Sequence, residues 1–105
     1  MSYIKTIEKM ARRIASRFHP DKIILFGSHA RGEAGPDSDV DIMVVMNVVG
    51  SKRTKQLEIR RALHNITAPK NVIVTTPEEF EWRKEVPGTL ERPAYKEGKV
   101  LYAKP

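Results

Sequence analysis

The pattern of hydrophobic and polar residues along this chain predicts helices interleaved with short strands. Residues 2–18 place apolar side chains at helical spacing on one face and basic side chains on the other, as in an amphipathic helix packed on a core. Residues 22–26 and 40–46 are short apolar runs, which we interpret as buried strands. Because the second run is apolar on both faces, its strand is expected to be central in a covered sheet.

The second half of the chain continues this alternation. Residues 53–64 predict a second, basic helix, and residues 71–75 predict a third strand. Thr76 is followed by a proline and, three residues after the threonine, by Glu79. This arrangement predicts a helix that starts with a capping box and runs to about Val86.

A short helix over residues 89–97 and a small edge strand over residues 100–102 complete the predicted elements. Helices that alternate with strands imply a layered α/β fold, in which helices flank a sheet. The link between the first two strands has only about a dozen residues and no long helix, which favours a mixed sheet over a purely parallel one. The prediction is therefore a single α/β domain over residues 1–105, with three to four strands.

Composition narrows the classes of function. The 105 residues contain no cysteine, which excludes disulfides and thiolate metal sites. No apolar run approaches the roughly 20 residues of a membrane span, so we expect a cytoplasmic protein without membrane contact. The net charge of +6 either suits an acidic partner, such as nucleotide phosphates, nucleic acid or an acidic protein surface, or mainly aids solubility.

The stretch GSHARGEAGPDSDVD, between the first two strands, holds the candidate chemistry. Asp39 and Asp41 are two residues apart, so in an extended chain they point to the same face, about 6.6 Å apart. Two carboxylates on one face repel each other unless a cation lies between them. Mg²⁺ suits such a pair, because it completes its shell with water and substrate phosphates. The alternative is that Asp39 caps the loop and Asp41 is a solvated residue at the strand end.

Gly27 and Ser28 follow the first strand directly. A glycine lets the backbone approach an anion closely, and the amides of a short helical segment can donate to a phosphate together with the Ser28 hydroxyl. Arg31, one turn further on, would either supply a cation or brace the loop. With Asp39 and Asp41 on the next strand, this pattern predicts the equipment for metal-assisted phosphoryl or nucleotidyl transfer.

The same stretch resembles the signature of the minimal nucleotidyltransferases of the DNA polymerase beta superfamily, in which Gly-Ser is followed by ten residues and Asp-x-Asp. Ten residues separate Ser28 from Asp39 here, and the ARG and SD within the stretch also match. Two later segments, TPEEFEW (residues 76–82) and EGKVLY (residues 97–102), resemble the C-terminal part of the same family. The resemblance therefore covers nearly the whole chain.

The resemblance implies a polymerase beta-like nucleotidyltransferase fold and transfer of AMP from ATP or another nucleoside triphosphate. It implies that Asp39 and Asp41 are the catalytic residues and the Mg²⁺ ligands. It also implies an antitoxin role, in which the transferase attaches AMP to a helical toxin partner of the HEPN type. The nucleotide-binding residues that it implies are Gly27, Ser28, Arg31 and Ser38.

One position departs from the family pattern. The third carboxylate of the family falls at the start of the next core strand, and by register with the TPEEF segment that position is Asn71. An amide cannot act as the general base for an incoming hydroxyl. Either the protein binds nucleotide and partner but transfers poorly, or another group serves as the base.

Three other hypotheses concern neighbouring residues and the basic charge. We interpret His29 as an exposed, variable loop position, with phosphate contact as the alternative. Glu33 is interpreted as an ordinary loop residue, with a role as a spare metal ligand as the alternative. A basic nucleic-acid-binding domain without catalysis would leave Asp39 and Asp41 unexplained. Their charge would also lie where phosphates must approach, so direct nucleic-acid binding is not expected.

Overall fold

Five helices and four strands make up residues 3–105, the part of the chain that the computed structural model describes. In chain order they are α1 (Ile4–Phe18), β1 (Lys22–Phe26), α2 (Ser28–Arg31), β2 (Val40–Val45), α3 (Lys52–Ala62), β3 (Lys70–Thr75), α4 (Pro77–Arg83), α5 (Glu91–Glu97) and β4 (Lys99–Ala103).

The predicted elements are all present, and their boundaries differ by a few residues. Residue 2, which the first predicted helix included, lies outside the described residues. α3 ends at Ala62 instead of residue 64, and α4 ends at Arg83 instead of Val86. In both helices the last turn tightens, because Leu63 N–H donates to Arg60 O (3.0 Å) and Val86 N–H donates to Arg83 O (2.9 Å).

The four strands form one mixed sheet in the order β3-β2-β1-β4. β1 pairs antiparallel with β2 and with β4, whereas β2 pairs parallel with β3. The predicted α/β fold with a mixed sheet is therefore confirmed. β1 and β2 are internal strands, and β3 and β4 form the two edges.

Apolar residues cover both faces of the sheet. α1 and α3 pack on one face, where the buried cluster includes Met10, Ile14, Ile42, Val44 and Ile59. α4 and α5 pack on the other face, where Phe80 and Ala94 contact a second cluster formed by Ile24, Phe26, Met43 and Val45. Each fully buried aliphatic side chain stabilises the fold by roughly 1.5–3 kcal/mol, so β2 is held from both sides, as its sequence predicts.

Alternation along β2 places Asp41 on the face that α4 and α5 cover, because Met43 and Val45 lie on that face. Asp41 is the second residue of the strand and therefore lies near its N-terminal end. The sheet thus holds a carboxylate at the margin of a packed layer.

None of the helices in residues 3–105 has the length and apolar character needed to cross a membrane.

Thr76 caps α4 as predicted. Its hydroxyl oxygen accepts a hydrogen bond from the N–H of Glu79 (3.1 Å) and the hydroxyl lies 3.3 Å from the Glu79 carboxylate. The neighbouring Thr75 is buried, and its hydroxyl donates to the buried carboxylate of Glu91 at 2.7 Å. This bond joins the end of β3 to the first turn of α5.

We expect Thr75→Val to lower the free energy of unfolding by about 1–3 kcal/mol, because it preserves shape but leaves a buried carboxylate without its donor. Urea denaturation followed by circular dichroism measures this change. Thr67→Val is the matched control, since Thr67 is exposed. Equal stability of the two variants would contradict the structural role of the Thr75–Glu91 bond.

Candidate active site

The register of the β1–β2 pair brings the two halves of the predicted motif together. Phe26, the last residue of β1, pairs with Asp41, so Gly27 continues directly past the Asp41 side chain. A Cβ built on Gly27 would overlap Oδ2 of Asp41 and lie 3.2 Å from its Cγ. Gly27 also has a φ of +74°, which favours glycine. A side chain at this position would therefore be strained and would displace the Asp41 carboxylate.

Asp41 is half-buried, whereas Asp39 is exposed and lies one residue before β2. Burial of the carboxyl raises the pKa of Asp41 above its ordinary value, and the negative charge of Asp39 acts in the same direction. The side chain of Asn71 and the nearby His29 and Arg31 act against this rise in pKa.

Asn71 lies beside Asp41 on the neighbouring strand. The two residues are paired in the parallel β2–β3 register, and the Asn71 side chain lies close enough to lower the pKa of the Asp41 carboxyl. Asn71 is exposed, so the space above it is open to an incoming group. The position assigned to the third carboxylate from the sequence is therefore next to the Asp pair in space, and it carries an amide.

The groups at this end of the sheet that could bind a metal all offer oxygen atoms. They are the carboxylates of Asp39 and Asp41 and the side-chain amide of Asn71. Mg²⁺ is typically bound by one or two carboxylates plus substrate phosphates and water, so these donors fit that ion. Within residues 3–105 no group of three or more His, Cys, Asp or Glu side chains could hold a metal.

The short helix α2 presents its N-terminal backbone beside Asp41. The N–H groups of Ala30 and Arg31 both donate to Gly27 O (3.1 Å each). The N–H groups of Ser28 and His29 precede them in the first turn, where no intrahelical acceptor exists. With the half-buried Ser28 hydroxyl, these amides could bind an anion.

Arg31 braces the loop in this structure. Its guanidinium donates to Glu33 (2.9 Å) and to Glu97 at the end of α5 (3.2 Å). Of the two roles considered from the sequence, the structure thus supports bracing. Ser38 has a similar local contact, because its hydroxyl oxygen accepts from the N–H of Gly35 at 2.9 Å.

His29 differs from its prediction as an exposed position, because it is half-buried. Its Nε2 lies 3.2 Å from the backbone oxygen of Ser38. Its ring also meets Tyr3 edge-on, with 5.3 Å between the ring centroids. The side chain therefore connects the start of the loop with its end and with α1. Sequence reasoning missed Tyr3 and Glu97 as loop supports, since both are distant in the chain.

We expect Gly27→Ala to destabilise the protein more than Gly32→Ala. Gly32 has nearly the same φ, +75°, but a Cβ there meets nothing within 4 Å, so it isolates the cost of the backbone conformation. The additional loss at Gly27 should be at least about 1 kcal/mol, because a methyl group displaces the Asp41 carboxylate. Urea denaturation of both variants measures the difference.

The same comparison in an Asp41→Ala background tests the cause. Removal of the carboxylate should shrink the difference between the two alanine variants. A difference that persists at full size would show that Gly27 and Asp41 do not oppose each other in the folded protein.

Comparison with known proteins agrees with this geometry. Residues 7–99 match the family model described as a nucleotidyltransferase domain. A protein of Methanocaldococcus jannaschii, provisionally named a protein adenylyltransferase, is 33% identical over 108 residues, which cover 97% of this chain and all of the relative.

Two solved structures share the fold. One is described as a toxin–antitoxin with AMP-PNP, with a TM-score of 0.66 and 18% identity, covering 92% of this chain and 73% of that one. The other is a complex of a tri-AMPylated HEPN toxin of Shewanella oneidensis with its MNT antitoxin, with a TM-score of 0.64 and 14% identity, covering 98% of this chain and 74% of that one.

The family match covers most of the chain, and the Gly-Ser and Asp-x-Asp residues that signalled it meet at one end of the sheet. The resemblance to nucleotidyltransferases is confirmed, and the protein belongs to the nucleotidyltransferase domain family.

Proposed function

We propose that this nucleotidyltransferase transfers AMP from ATP to a hydroxyl group of a partner protein, with Mg²⁺ bound by Asp39 and Asp41. We further propose that the partner is a helical HEPN-type toxin and that the protein acts as its antitoxin. The observation that carries the proposal is the contact between Gly27 and the Asp41 carboxylate. This contact supports the proposal because it brings the turn proposed to bind phosphate next to the carboxylate proposed to bind Mg²⁺.

Each residue has a defined role in this proposal. Backbone amides of Ser28 and His29 and the Ser28 hydroxyl bind the triphosphate, while the brace from Arg31 to Glu97 keeps α2 in place. Mg²⁺, when bound, would neutralise charge on the phosphate oxygens and the leaving group. The exposed surface at Asn71 admits the acceptor beside the α-phosphate.

The transfer forms a bond from the acceptor hydroxyl oxygen to the α-phosphorus and breaks the bond to the β-phosphate, so that pyrophosphate leaves. The hydroxyl proton must also be removed. The neutral amide of Asn71 cannot accept it, so the proton passes to water or to a group of the acceptor protein.

The relatives support the choice of chemistry and setting. A relative that this chain matches over its full length is provisionally named a protein adenylyltransferase. Structural neighbours include a toxin–antitoxin with AMP-PNP and an AMPylated toxin bound to its antitoxin. These descriptions favour ATP as donor and a toxin protein as acceptor.

We expect Asp39→Asn and Asp41→Asn each to reduce AMP transfer at least about 100-fold, because a neutral amide loses the charge that holds a divalent cation. The measurement is incorporation of label from α-³²P-ATP into the cognate toxin in the presence of Mg²⁺. Asp37→Asn is the matched control, since Asp37 is an exposed carboxylate of the same loop.

The control should transfer at the rate of the unmodified protein. Transfer that survives in both Asp39→Asn and Asp41→Asn, or that continues with EDTA, would reject the metal site.

A second candidate function rests on Asn71. A protein without the third carboxylate could bind nucleotide and neutralise its toxin by contact alone. Under that function, Asp39→Ala and Asp41→Ala would leave neutralisation of the toxin intact. Growth of cells that express toxin together with each variant separates the two functions, because an enzymatic antitoxin should fail in both.

We expect Asn71→Asp to accelerate AMP transfer by roughly 10²-fold or more, because a carboxylate beside Asp41 can take the acceptor proton. Single-turnover label transfer to the toxin measures the rate. Asn47→Asp controls for the added charge, since Asn47 is exposed and lies past the other end of β2.

Measurable transfer by the unmodified protein supports the proposed enzyme. Transfer by Asn71→Asp alone would instead favour the contact-only function. An unchanged rate in Asn71→Asp would show that this position does not serve as the base in either form.

A further inference from the structure

A long groove runs between α1 and the outer edge of β4, away from the proposed active site. Its volume is about 1170 Å³, more than the roughly 300–1,000 Å³ of typical small-molecule pockets. Its size and open shape suit a segment of polypeptide better than a compact ligand. The residues of β4 that line it are Val100, Leu101 and Tyr102.

β4 leaves its outer backbone edge uncovered. It pairs only with β1, and in residues 3–105 no side chain hydrogen-bonds to the backbone of residues 99–103. At the opposite edge of the sheet, a side chain does bind the backbone, because the N–H of Val74 in β3 donates to Oε1 of Gln56 at 2.9 Å. An uncovered edge is a template for an added strand.

The α1 side of the groove is strongly basic. Lys9, Arg12 and Arg17 line it and are exposed, and no carboxylate of the described residues forms an ion pair with any of them. Arg13 also lines the groove, but its guanidinium is held by Ala62 O at 3.0 Å. The only acidic lining residue is Glu8. Because these three cations have no ion-pair partner and lie beside an open strand edge, the groove favours a ligand that carries negative charge.

The charge and shape of the groove distinguish between three ligands: a second copy of this chain, nucleic acid and an acidic peptide. A second copy of this chain would bring its own three cations against these, and like charges at close range are unfavourable. Single-stranded nucleic acid is bound by stacking successive bases on aromatic side chains. The groove offers no series of such side chains, because its aromatic rings are Tyr102, which is half-buried against the core, and the single imidazole of His19. An acidic peptide can form backbone hydrogen bonds with β4 and ion pairs with the three cations.

We propose that the groove between α1 and β4 binds an extended acidic segment of a partner protein, which adds a fifth strand to the sheet. Side chains alternate along a strand, so glutamates or aspartates at every second position face Lys9, Arg12 and Arg17. The side chains between them point to the other face of the sheet. Val100 lies on that face, because its partner in β1 is Ile24, which belongs to the second buried cluster.

The test uses a fluorescein-labelled peptide of alternating glutamate and threonine, ten residues long by design, and fluorescence anisotropy with the full chain. We expect Arg12→Glu/Arg17→Glu to weaken binding at least about tenfold. Arg53→Glu/Arg61→Glu is the matched control, because it makes the same charge change at exposed positions of α3. The control should weaken binding less than about threefold.

A second pair of probes tests strand addition itself. In two versions of the peptide, alternate backbone nitrogens are methylated, on the odd or on the even residues. Only one set faces β4 in an added strand, so one version should lose at least about tenfold in affinity while the other keeps it.

Several outcomes would overturn the proposal. They are no saturable binding of the peptide, equal losses in the two double variants, or equal affinity of the two methylated peptides. Tighter binding of oligo(dT) that Arg12→Glu/Arg17→Glu abolishes would assign the groove to nucleic acid. A concentration-dependent dimer that the peptide does not disrupt would assign it to a second copy. None of these readouts depends on AMP transfer, so failure here leaves the proposed enzyme standing.

Discussion

The antiparallel pairing of β1 and β2 sets the geometry on which the rest of the site depends. It places Gly27 so close to the carboxylate of Asp41 that a side chain at position 27 would have to displace that carboxylate. Both strands are internal and buried on two faces, so the backbone positions of Phe26 and Asp41 are fixed relative to each other by the core. Gly27 directly follows one of these strands, and Asp41 lies in the other.

The parts of the site that depend on local pattern were predictable from the sequence. Period-two alternation predicted the face of Asp41, and the spacing from Ser28 to Asp39 carried the family signature. The resemblance to the family assigned the third-carboxylate position to Asn71, which the structure pairs with Asp41. These features follow from neighbours in the chain or in one sheet, where side-chain direction obeys simple periodicity. Periodicity and turn signals predicted all four strands and the four longer helices of the described chain.

The supports of the site were not predictable in the same way. The partner of Arg31, Glu97, lies far along the chain, and no periodic pattern links the two. His29 was expected in solvent but packs on Tyr3, because α1 folds back over the loop. Such contacts depend on how layers stack, which a single sequence specifies only through the whole fold. The ends of α3 and α4 also differ from the prediction, because hydrogen bonds between residues three apart tighten the turn that follows each helix.

The position of β4 has a consequence for how the protein folds. β4 is the last strand in the sequence, yet it pairs with β1, the first, and the Glu97 brace immediately precedes it. Contacts between such distant segments form late, because a long loop must close before they are made. During synthesis on the ribosome, the turn at Gly27 and Ser28 would emerge early but stay without its contact to Glu97 until the C-terminal segment had left the exit tunnel. A chain that ended before α5 would therefore contain the whole Gly-Ser and Asp-x-Asp signature and still lack this contact and the pairing of β1 with β4.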